Sequence, residues 1–400
     1  LNRELENLVK DLIVSEISGM PNTKTSHGKK KETTSSNYDI SSLLWRVIIA
    51  ISPETEIVSP LGFGLIMALV KLGSIGQSEN EIQNLLHFPR EISLGLYYRN
   101  LLQSYEGMVK NNVHVVIVSA LMDTLGSKFR PEFTEYARDH FRMTCTNWNY
   151  ANGDGVVKQM NKRFTAASKD VLIGILKLGD IQRKTQMILL NGMYFQALFQ
   201  CQFKAKHTTK EPFYNLNGTT VKVDMMSGSS NFMYARLEDL KCSAIGLPYH
   251  GGKFTFVVVL PDAQRGISEL NTKMDAEFFK NVREKLRSQK FYAKLPRFTA
   301  SSRINFAPAL DSMGVKAMFK DPSEFHGYSQ DGLDRHFSKF IQQNLLDVSE
   351  KGSVCSKTRA ALRKKLLPGQ VKFRADHPFL FFVMDDAHSI VIFVGCKSHF

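Results

Sequence analysis

Cysteine is scarce in this sequence. The chain of 400 residues contains five, at widely separated positions: Cys145, Cys201, Cys242, Cys355 and Cys396. No pair has the C-x-x-C spacing of a redox or metal site, and an odd number leaves at least one thiol unpaired. We therefore expect no disulfide framework, and the cysteines alone leave the cellular compartment open.

Long apolar runs are absent as well. A membrane-spanning helix needs roughly 20 consecutive apolar residues. The longest runs in this chain have the length of a buried strand or half a helix: Leu65–Val70, Phe254–Leu260 and Phe379–Met384. We therefore predict no membrane partner.

Two features bear on secretion. The chain begins at Leu1 without Met, so we expect that a signal peptide has been removed and that the protein is extracellular. Asn217 starts the tripeptide Asn-Gly-Thr, a candidate glycosylation sequon in a turn-like stretch. Such a sequon permits secretion but is common by chance.

The sequence lacks the short motifs of common enzymes. It has no G-x-S-x-G elbow, no H-E-x-x-H, no phosphate-binding loop and no G-x-G-x-x-G after a strand. The eleven histidines are spread out, without ligand spacing on a clear helix. We interpret His87 and His377 as structural. These absences predict a protein that is not an enzyme and that needs no cofactor and no metal.

What the sequence does have is a strong positive charge and enough apolar residues for a large core. The net charge is +14, and 43% of the residues are hydrophobic. Such a charge attracts heparin or another polyanion, although a soluble basic protein without a polyanion partner is an equally open interpretation. The basic clusters are Lys29–Lys31, Lys204–His207 and Lys280–Arg287.

The pattern along the chain predicts an N-terminal extension, 1–37, and a single domain, 38–400. Pro21–Asn37 is polar and basic and is interpreted as a linker. From Tyr38 onward, helical and strand-like stretches alternate without βαβ regularity, which indicates an α+β fold. Ser78 and Glu81 have the spacing of a helix capping box.

Five motifs occur in a specific order: SPLGFGLIMALVKLG from Ser59, LLNGMYF from Leu189, VVVLPD from Val257, LPRF from Leu295 and FRADHPFLFF from Phe373. In this order they resemble the serpins, from about Tyr38 to Gly395. The resemblance implies a monomer of three β-sheets and eight to nine helices with an exposed reactive-centre loop. A protease cleaves such a loop as a pseudo-substrate. The loop then inserts as a strand into the large sheet and carries the covalently held protease with it.

By this resemblance the loop runs over about 350–372, with its hinge at Glu350, Gly352 and Ser353. Alternate residues of an inserted strand face the core. Counting by twos from Ser353 turns Lys357 and Arg359 inward, where an unpaired cation costs several kcal/mol. The loop is also a residue or more shorter than in the usual inhibitor.

The resemblance also indicates where the sheet opens to admit the strand, at Ser59, Asn191 and Gln342. Inhibitory serpins typically have a second serine where this chain has Gly62, and a histidine where it has Gln342. The amide of Gln342 can still form hydrogen bonds, so this exchange weakens the expected function without excluding it.

Two functions remain open. As an inhibitor, the chain would present a scissile bond among Arg363, Lys364, Lys365 and Leu366. This basic run suits a trypsin-like protease, whereas Leu362 before Arg363 suits a cathepsin-L-like cysteine protease. The alternative is a non-inhibitory serpin that serves as a binding, storage or carrier protein, because Lys357 and Arg359 oppose insertion. The run is then simply a solvated, protease-labile loop.

Overall fold

The computed structural model describes residues 26–90, 92–109, 112–126, 128–148, 153–320, 322–325, 328–330, 335–353 and 371–400. The described residues form nine α-helices: α1 (Ser26–Ile51), α2 (Pro60–Gly73), α3 (Gly76–Leu86), α4 (Leu94–Glu106), α5 (Pro131–Phe141), α6 (Gly153–Ala167), α7 (Ile267–Thr272), α8 (Ala276–Lys285) and α9 (Ala307–Ser312).

The strands of the described residues form two hydrogen-bonded sheets. They are β1 (Ile57–Val58), β2 (His114–Asp123), β3 (Met143–Asn147), β4 (Met187–Leu198), β5 (Thr209–Tyr214), β6 (Thr220–Leu237), β7 (Cys242–Pro248), β8 (Phe254–Pro261), β9 (Arg287–Pro296), β10 (Phe298–Asn305), β11 (Phe337–Val348), β12 (Gly352–Ser353), β13 (Val371–Arg374), β14 (Phe379–Asp385) and β15 (Ile390–Lys397).

The larger sheet has the order β1-β15-β14-β8-β7-β6-β9-β13, with β5 paired to β6. The long strand β6 pairs with β7 near its end and with β9 and β5 earlier. It therefore joins two smaller sheets into one. Together with the second sheet, these make the three sheets of the expected α+β fold.

The second sheet has the order β10-β11-β4-β2-β3. β11 and β4 run parallel and pair from Phe337 opposite Met187 to Leu345 opposite Tyr194. β4 is apolar along most of its length, with Asn191 and Gln196 as its polar side chains, because both of its faces are buried. Its odd-numbered residues lie in the main core: Met187, Leu189, Met193, Phe195 and Ala197. The even-numbered residues Ile188 and Leu190 lie in a smaller core beneath α6.

α2 is the central helix of the main core. Pro60 occupies its first turn, and the Ser59 side chain caps it by accepting a hydrogen bond from the Gly62 amide at 3.1 Å. Both features are favoured at a helix start. Every residue of 60–70 is buried, as expected for a helix that is apolar on all sides.

The start of α1 differs from the sequence prediction. The helix begins at Ser26, well before Tyr38, so the second half of the segment interpreted as a linker is helical. Once the apolar part from Tyr38 is packed, each further residue needs only helix propagation and no new nucleus. Residues 1–25 lie outside the described residues.

The predicted capping box at Ser78 is wrong. α3 begins at Gly76, and the carboxylate of Glu324 accepts hydrogen bonds from the Gln77 amide at 2.8 Å and the Ser78 amide at 2.7 Å. Glu81 instead accepts from the backbone amide of Lys316 at 2.7 Å. A carboxylate distant in sequence thus replaces the local cap.

This arrangement predicts a difference between two alanine substitutions. Glu324→Ala should lower the free energy of unfolding by about 1 kcal/mol, because the first turn of α3 loses its cap. Ser78→Ala should change it by less than about 0.5 kcal/mol, because the buried Ser78 hydroxyl has no partner among the described residues. Urea unfolding of both variants measures the difference. Equal losses of unfolding free energy in the two variants would instead support the capping box of Ser78 and Glu81.

Candidate functional site

The chain reverses direction in a tight turn after β11, here called the hinge turn (349–353). The Ser349 amide donates to the Gly352 carbonyl at 2.9 Å, and the Gly352 amide donates to the Ser349 carbonyl at 3.1 Å. Gly352 has a φ of 134°, a conformation that strongly favours glycine. A Cβ at this position would also clash with the Ala197 carbonyl.

After this turn, β12 pairs antiparallel with the end of β4. Gly352 lies opposite Leu198, and Ser353 lies opposite Ala197. Ser353 is fully buried, and its hydroxyl is 2.6 Å from that of Tyr249. Burial raises the pKa of Tyr249 above its ordinary value, so this phenol stays neutral. Two residues of a new strand are therefore already in the sheet.

Glu350 fixes the outer side of the hinge turn. Its carboxylate accepts a hydrogen bond from the Thr208 hydroxyl at 2.7 Å and lies 3.5 Å from the Arg297 guanidinium. Arg297 also donates to Asp224 at 2.7 Å. Burial opposes the ionisation of Asp224, but hydrogen bonds from Arg297 and Lys210 outweigh it, and the pKa lies below its ordinary value. Glu350 thus joins a network that also contains Arg297, Asp224 and Lys210.

Backbone bonds hold the same turn against β4 and the segment that follows it. The Phe199 amide donates to the Lys351 carbonyl at 2.8 Å, and the Phe203 amide donates to the Glu350 carbonyl at 2.9 Å. These two amides therefore report directly on whether the hinge turn is docked.

Further along β11, a buried group of polar side chains joins it to β4 and α2. We call Ser59, Asn191, Gln342 and Asn344 the amide cluster. The Gln342 side chain donates to the Asn191 side-chain oxygen at 3.0 Å and to the Ser59 carbonyl at 3.1 Å. It accepts from the Ser59 amide and from the Asn344 side chain, both at 3.0 Å. One carboxamide thus connects three elements.

The cluster is completed by neighbours on the same sheet and the larger one. Asn191 donates to the Ser119 hydroxyl at 3.0 Å, and the Ser59 hydroxyl donates to the Ile392 carbonyl at 2.6 Å. The Asn344 side-chain oxygen is buried without a partner among the described residues. No member of the amide cluster titrates near neutrality, so its hydrogen bonds do not depend on pH.

Gly62 leaves the space that the amide cluster fills. A Cβ at this position would clash with the Asn191 side-chain oxygen and would lie 2.9 Å from the Gln342 side-chain nitrogen. The serine that the family resemblance indicates at this position in inhibitory members would therefore clash with Asn191 and crowd Gln342. Gly62 is required by the present placement of both side chains.

The structure brings some of the sequence-predicted residues together. Ser59, Asn191 and Gln342 are in direct contact, and Glu350, Gly352 and Ser353 form the hinge turn as described above. The scissile-bond candidates Arg363, Lys364, Lys365 and Leu366, and also Lys357 and Arg359, lie outside the described residues.

Asn217 lies in the exposed turn between β5 and β6. Its side-chain oxygen accepts from the Thr219 amide at 3.0 Å and from the Thr219 hydroxyl at 2.7 Å. The sequon is thus accessible, and its use stays a prediction.

Several contributors were missed by reasoning from the sequence. Tyr249 gave no signal, because it ends an ordinary apolar strand and meets Ser353 only through the tertiary fold. Arg297 and Thr208 were likewise invisible as partners of Glu350. Asn344 could have been found, since it follows Gln342 at the strand period on the face of β11 that also carries Phe340, Leu346 and Val348.

The described residues offer no alternative site of metal chemistry, since no group of His, Cys, Asp and Glu among them could hold an ion. Nor is any described helix long and apolar enough to cross a membrane. The His377 ring nitrogen Nε2 donates to the Pro261 carbonyl at 2.8 Å, and His87 ends α3 in a left-handed conformation. The structural role of both histidines stays a prediction.

Comparison with known proteins agrees with this geometry. A profile of the family described as "Serpin (serine protease inhibitor)" matches residues 36–399. Iripin-3 of Ixodes ricinus is 25% identical over 92% of this chain and 95% of its own length. Leukocyte elastase inhibitor of Xenopus tropicalis is 24% identical over 85% of this chain and 92% of its own.

Among solved structures, thyroxine-binding globulin in complex with thyroxine superposes with a TM-score of 0.83. The match covers 92% of this chain and 98% of that chain at 19% identity. At this identity the similarity shows the fold alone.

The hinge turn provides a direct test of its own anchoring. Tyr249→Phe should weaken docking by about 1 kcal/mol, because the buried Ser353 hydroxyl loses its partner. Hydrogen exchange at the Phe199 and Phe203 amides should then become faster. Ser353→Ala should act similarly, and the double variant should lose less than the sum of the two. Tyr214→Phe, at a half-exposed position, is the control. Unchanged exchange in Tyr249→Phe would show that this bond does not hold the turn.

Proposed function

The chain belongs to the serpin family, and we propose that it inhibits a protease by inserting its cleaved reactive-centre loop between β11 and β4. One observation carries this proposal. Gly352 and Ser353 already pair antiparallel with β4, while β11 and β4 remain paired in parallel from Phe337 to Leu345. The first residues of the inserting strand are in place, and the sheet ahead of them is closed.

Insertion would exchange one ladder for two. Separating β11 from β4 breaks their parallel hydrogen bonds and the contact between Gln342 and Asn191. A strand that continues from Ser353 would be antiparallel to both neighbours and would regain backbone hydrogen bonds on each side. The amide cluster therefore resists the first step, and the completed sheet compensates for its loss.

The register of β12 fixes where each loop residue would lie. Since Ser353 lies opposite Ala197, continuation would bring Lys357 opposite Met193 and Arg359 opposite Asn191. Directly opposed residues in an antiparallel pair share one face. Ala197 and Met193 face the main core, so both cations would point inward, as the sequence analysis predicted.

The two cations would nevertheless meet different surroundings. Lys357 would lie between Met193 and Asn344, which are opposite each other in the present ladder, so one of its two neighbours is apolar and burial of the ammonium is costly. Arg359 would lie between Asn191 and Gln342, and both of these neighbours have a carboxamide oxygen that can accept a hydrogen bond. A guanidinium can donate to several acceptors at once. Lys357 is therefore the greater obstacle to insertion.

The loop composition supports a protease that cleaves after basic residues. Arg363, Lys364 and Lys365 precede Leu366, which suits the acidic specificity pocket of a trypsin-like enzyme. A cathepsin-L-like cysteine protease is the second target, supported by Leu362 before Arg363. The basic run would also make the loop a substrate of such a protease if insertion did not follow.

Incubation with trypsin and with a cathepsin-L-like protease, followed by denaturing gel electrophoresis, tests the proposal. We expect a covalent complex that survives denaturation with one of the two. Quantitative cleavage with no complex from either protease would favour the non-inhibitory function. In that case the chain acts as a binding or carrier protein, and the observation in its favour is the cost of burying Lys357.

The register of β12 predicts that Lys357 and Arg359 hinder insertion to different degrees. Lys357→Ala should raise the yield of covalent complex and speed inhibition by about tenfold, because it removes a buried cation that would have the apolar Met193 on one side. Arg359→Ala should have a smaller effect. Thr358→Ala, whose side chain would face outward, is the control. The ratio of complex to cleaved inhibitor on a gel measures all three. A larger effect at Arg359 than at Lys357 would contradict the inferred register.

We further propose that the protein is secreted and glycosylated at Asn217. The exposed turn between β5 and β6 supports this proposal, since glycan acceptors lie in surface loops of secreted proteins. Expression in a secretory cell line should give a band that shifts on enzymatic deglycosylation and is absent in Asn217→Gln.

The net charge of +14 supports polyanion binding, which salt-dependent retention on heparin would test.

A further inference from the structure

The connection between α6 and β4, residues 168–186, is a rigid segment on the outer face of the second sheet. Asn161 on α6 donates to the Leu176 carbonyl at 2.8 Å and accepts from the Leu176 amide at 2.9 Å. Gln343 of β11 donates to the Ile173 carbonyl at 2.8 Å. Arg303 of β10 donates to the Ile175 carbonyl at 2.7 Å. The side chains that this segment exposes are therefore held in position.

Two of these exposed side chains are large and apolar. Ile173 is 66% exposed and Leu178 is 72% exposed, the highest values among the large hydrophobic residues that the structure describes. Their neighbours Leu172, Ile175 and Leu176 are buried. A single exposed apolar residue needs no explanation, but here two of them are five residues apart on one fixed segment.

Basic residues are frequent on α6 and on this connection. Seven exposed ones lie there: Lys158, Lys162, Arg163, Lys169, Lys177, Arg183 and Lys184. The same stretch contains three carboxylates, Asp154, Asp170 and Asp180. Asp180 is already paired, with Arg303 and with Lys339 at 3.3 Å. The exposed side chains of α6 and the connection therefore form a surface that is mainly positive and includes two large apolar residues.

We propose that this surface docks the protein onto a bilayer containing anionic phospholipids. The lysine and arginine side chains would contact anionic headgroups, and Ile173 and Leu178 would enter the boundary between headgroups and acyl chains. A soluble sulfated polysaccharide would satisfy the cations but leave both apolar side chains in water. The exposed pair therefore favours the bilayer over a polyanion.

This inference changes the sequence-based prediction that the protein has no membrane partner. That prediction rested on the absence of spanning runs, whereas surface docking requires none. Ile173 and Leu178 occur in the run VLIGILKL, whose composition resembles that of a buried segment. Only the fold shows which of its side chains face the solvent.

The test is sedimentation of the full chain with vesicles of phosphatidylcholine alone or mixed with phosphatidylserine. We expect binding to the mixed vesicles only, and weaker binding at higher salt. The double variant Ile173→Ser/Leu178→Ser should bind the mixed vesicles roughly tenfold more weakly, with unchanged unfolding stability because both side chains are exposed. Ile51→Ser, at the end of α1 and 44% exposed, is the matched control and should bind as the wild type does.

A heparin column separates the two kinds of partner. Reversing the charge at Lys158 and Lys162 should weaken both vesicle binding and heparin retention, whereas the Ile173→Ser/Leu178→Ser variant should lose vesicle binding only. Trp148, which lies beside Arg163 of α6 at 5.6 Å, offers a fluorescence signal for docking. Absence of binding to the mixed vesicles would overturn the proposal. So would vesicle binding that is unaffected by the apolar double variant, because the cations alone would then hold the protein on the anionic headgroups.

Discussion

The carboxamide of Gln342 is the interaction on which the closed state of this fold depends. It connects the start of α2, the middle of β4 and the middle of β11 in a region without solvent. Because these hydrogen bonds are buried, they hold the three elements together strongly. Because the carboxamide is neutral, it places no charge in the core. Gly62 provides the space, so the helix, the glutamine and the two strands are mutually dependent.

The hinge turn lies at the end of this closed pair of strands. Gly352 can adopt the positive φ that reverses the chain, Glu350 anchors the turn to Arg297 and Thr208, and Ser353 pairs with β4. The two residues of β12 cannot be extended between β11 and β4 while these strands remain paired with each other. Further insertion would break the hydrogen bonds of Gln342 and form backbone hydrogen bonds between the inserted strand and its two neighbours.

The sequence was sufficient to predict those elements whose causes are local. The helix Pro131–Phe141 is of this kind, because proline in the first turn and the apolar spacing are both local signals. The cap of α3 by Glu324 and the bond between Tyr249 and Ser353 were not predictable, because each joins residues that are far apart in the chain and approach only after folding. Strand alternation alone predicts that Lys357 would point inward in an inserted strand. The difference between the neighbours of Lys357 and those of Arg359 could be inferred only from the register of β12 on β4.

Hydrogen exchange in β4 and β11, measured before and after cleavage within 354–370, tests the central claim most directly. If the cleaved loop inserts, the amides of Asn191–Phe195 and Ile341–Leu345 should exchange much more slowly in the cleaved chain. The inserted strand would lie between β4 and β11 and form hydrogen bonds with both, so that both strands would lie inside a larger sheet. Unchanged exchange in both strands, with the cleaved loop still accessible to a second protease, would contradict insertion and leave the chain as a non-inhibitory member of the family.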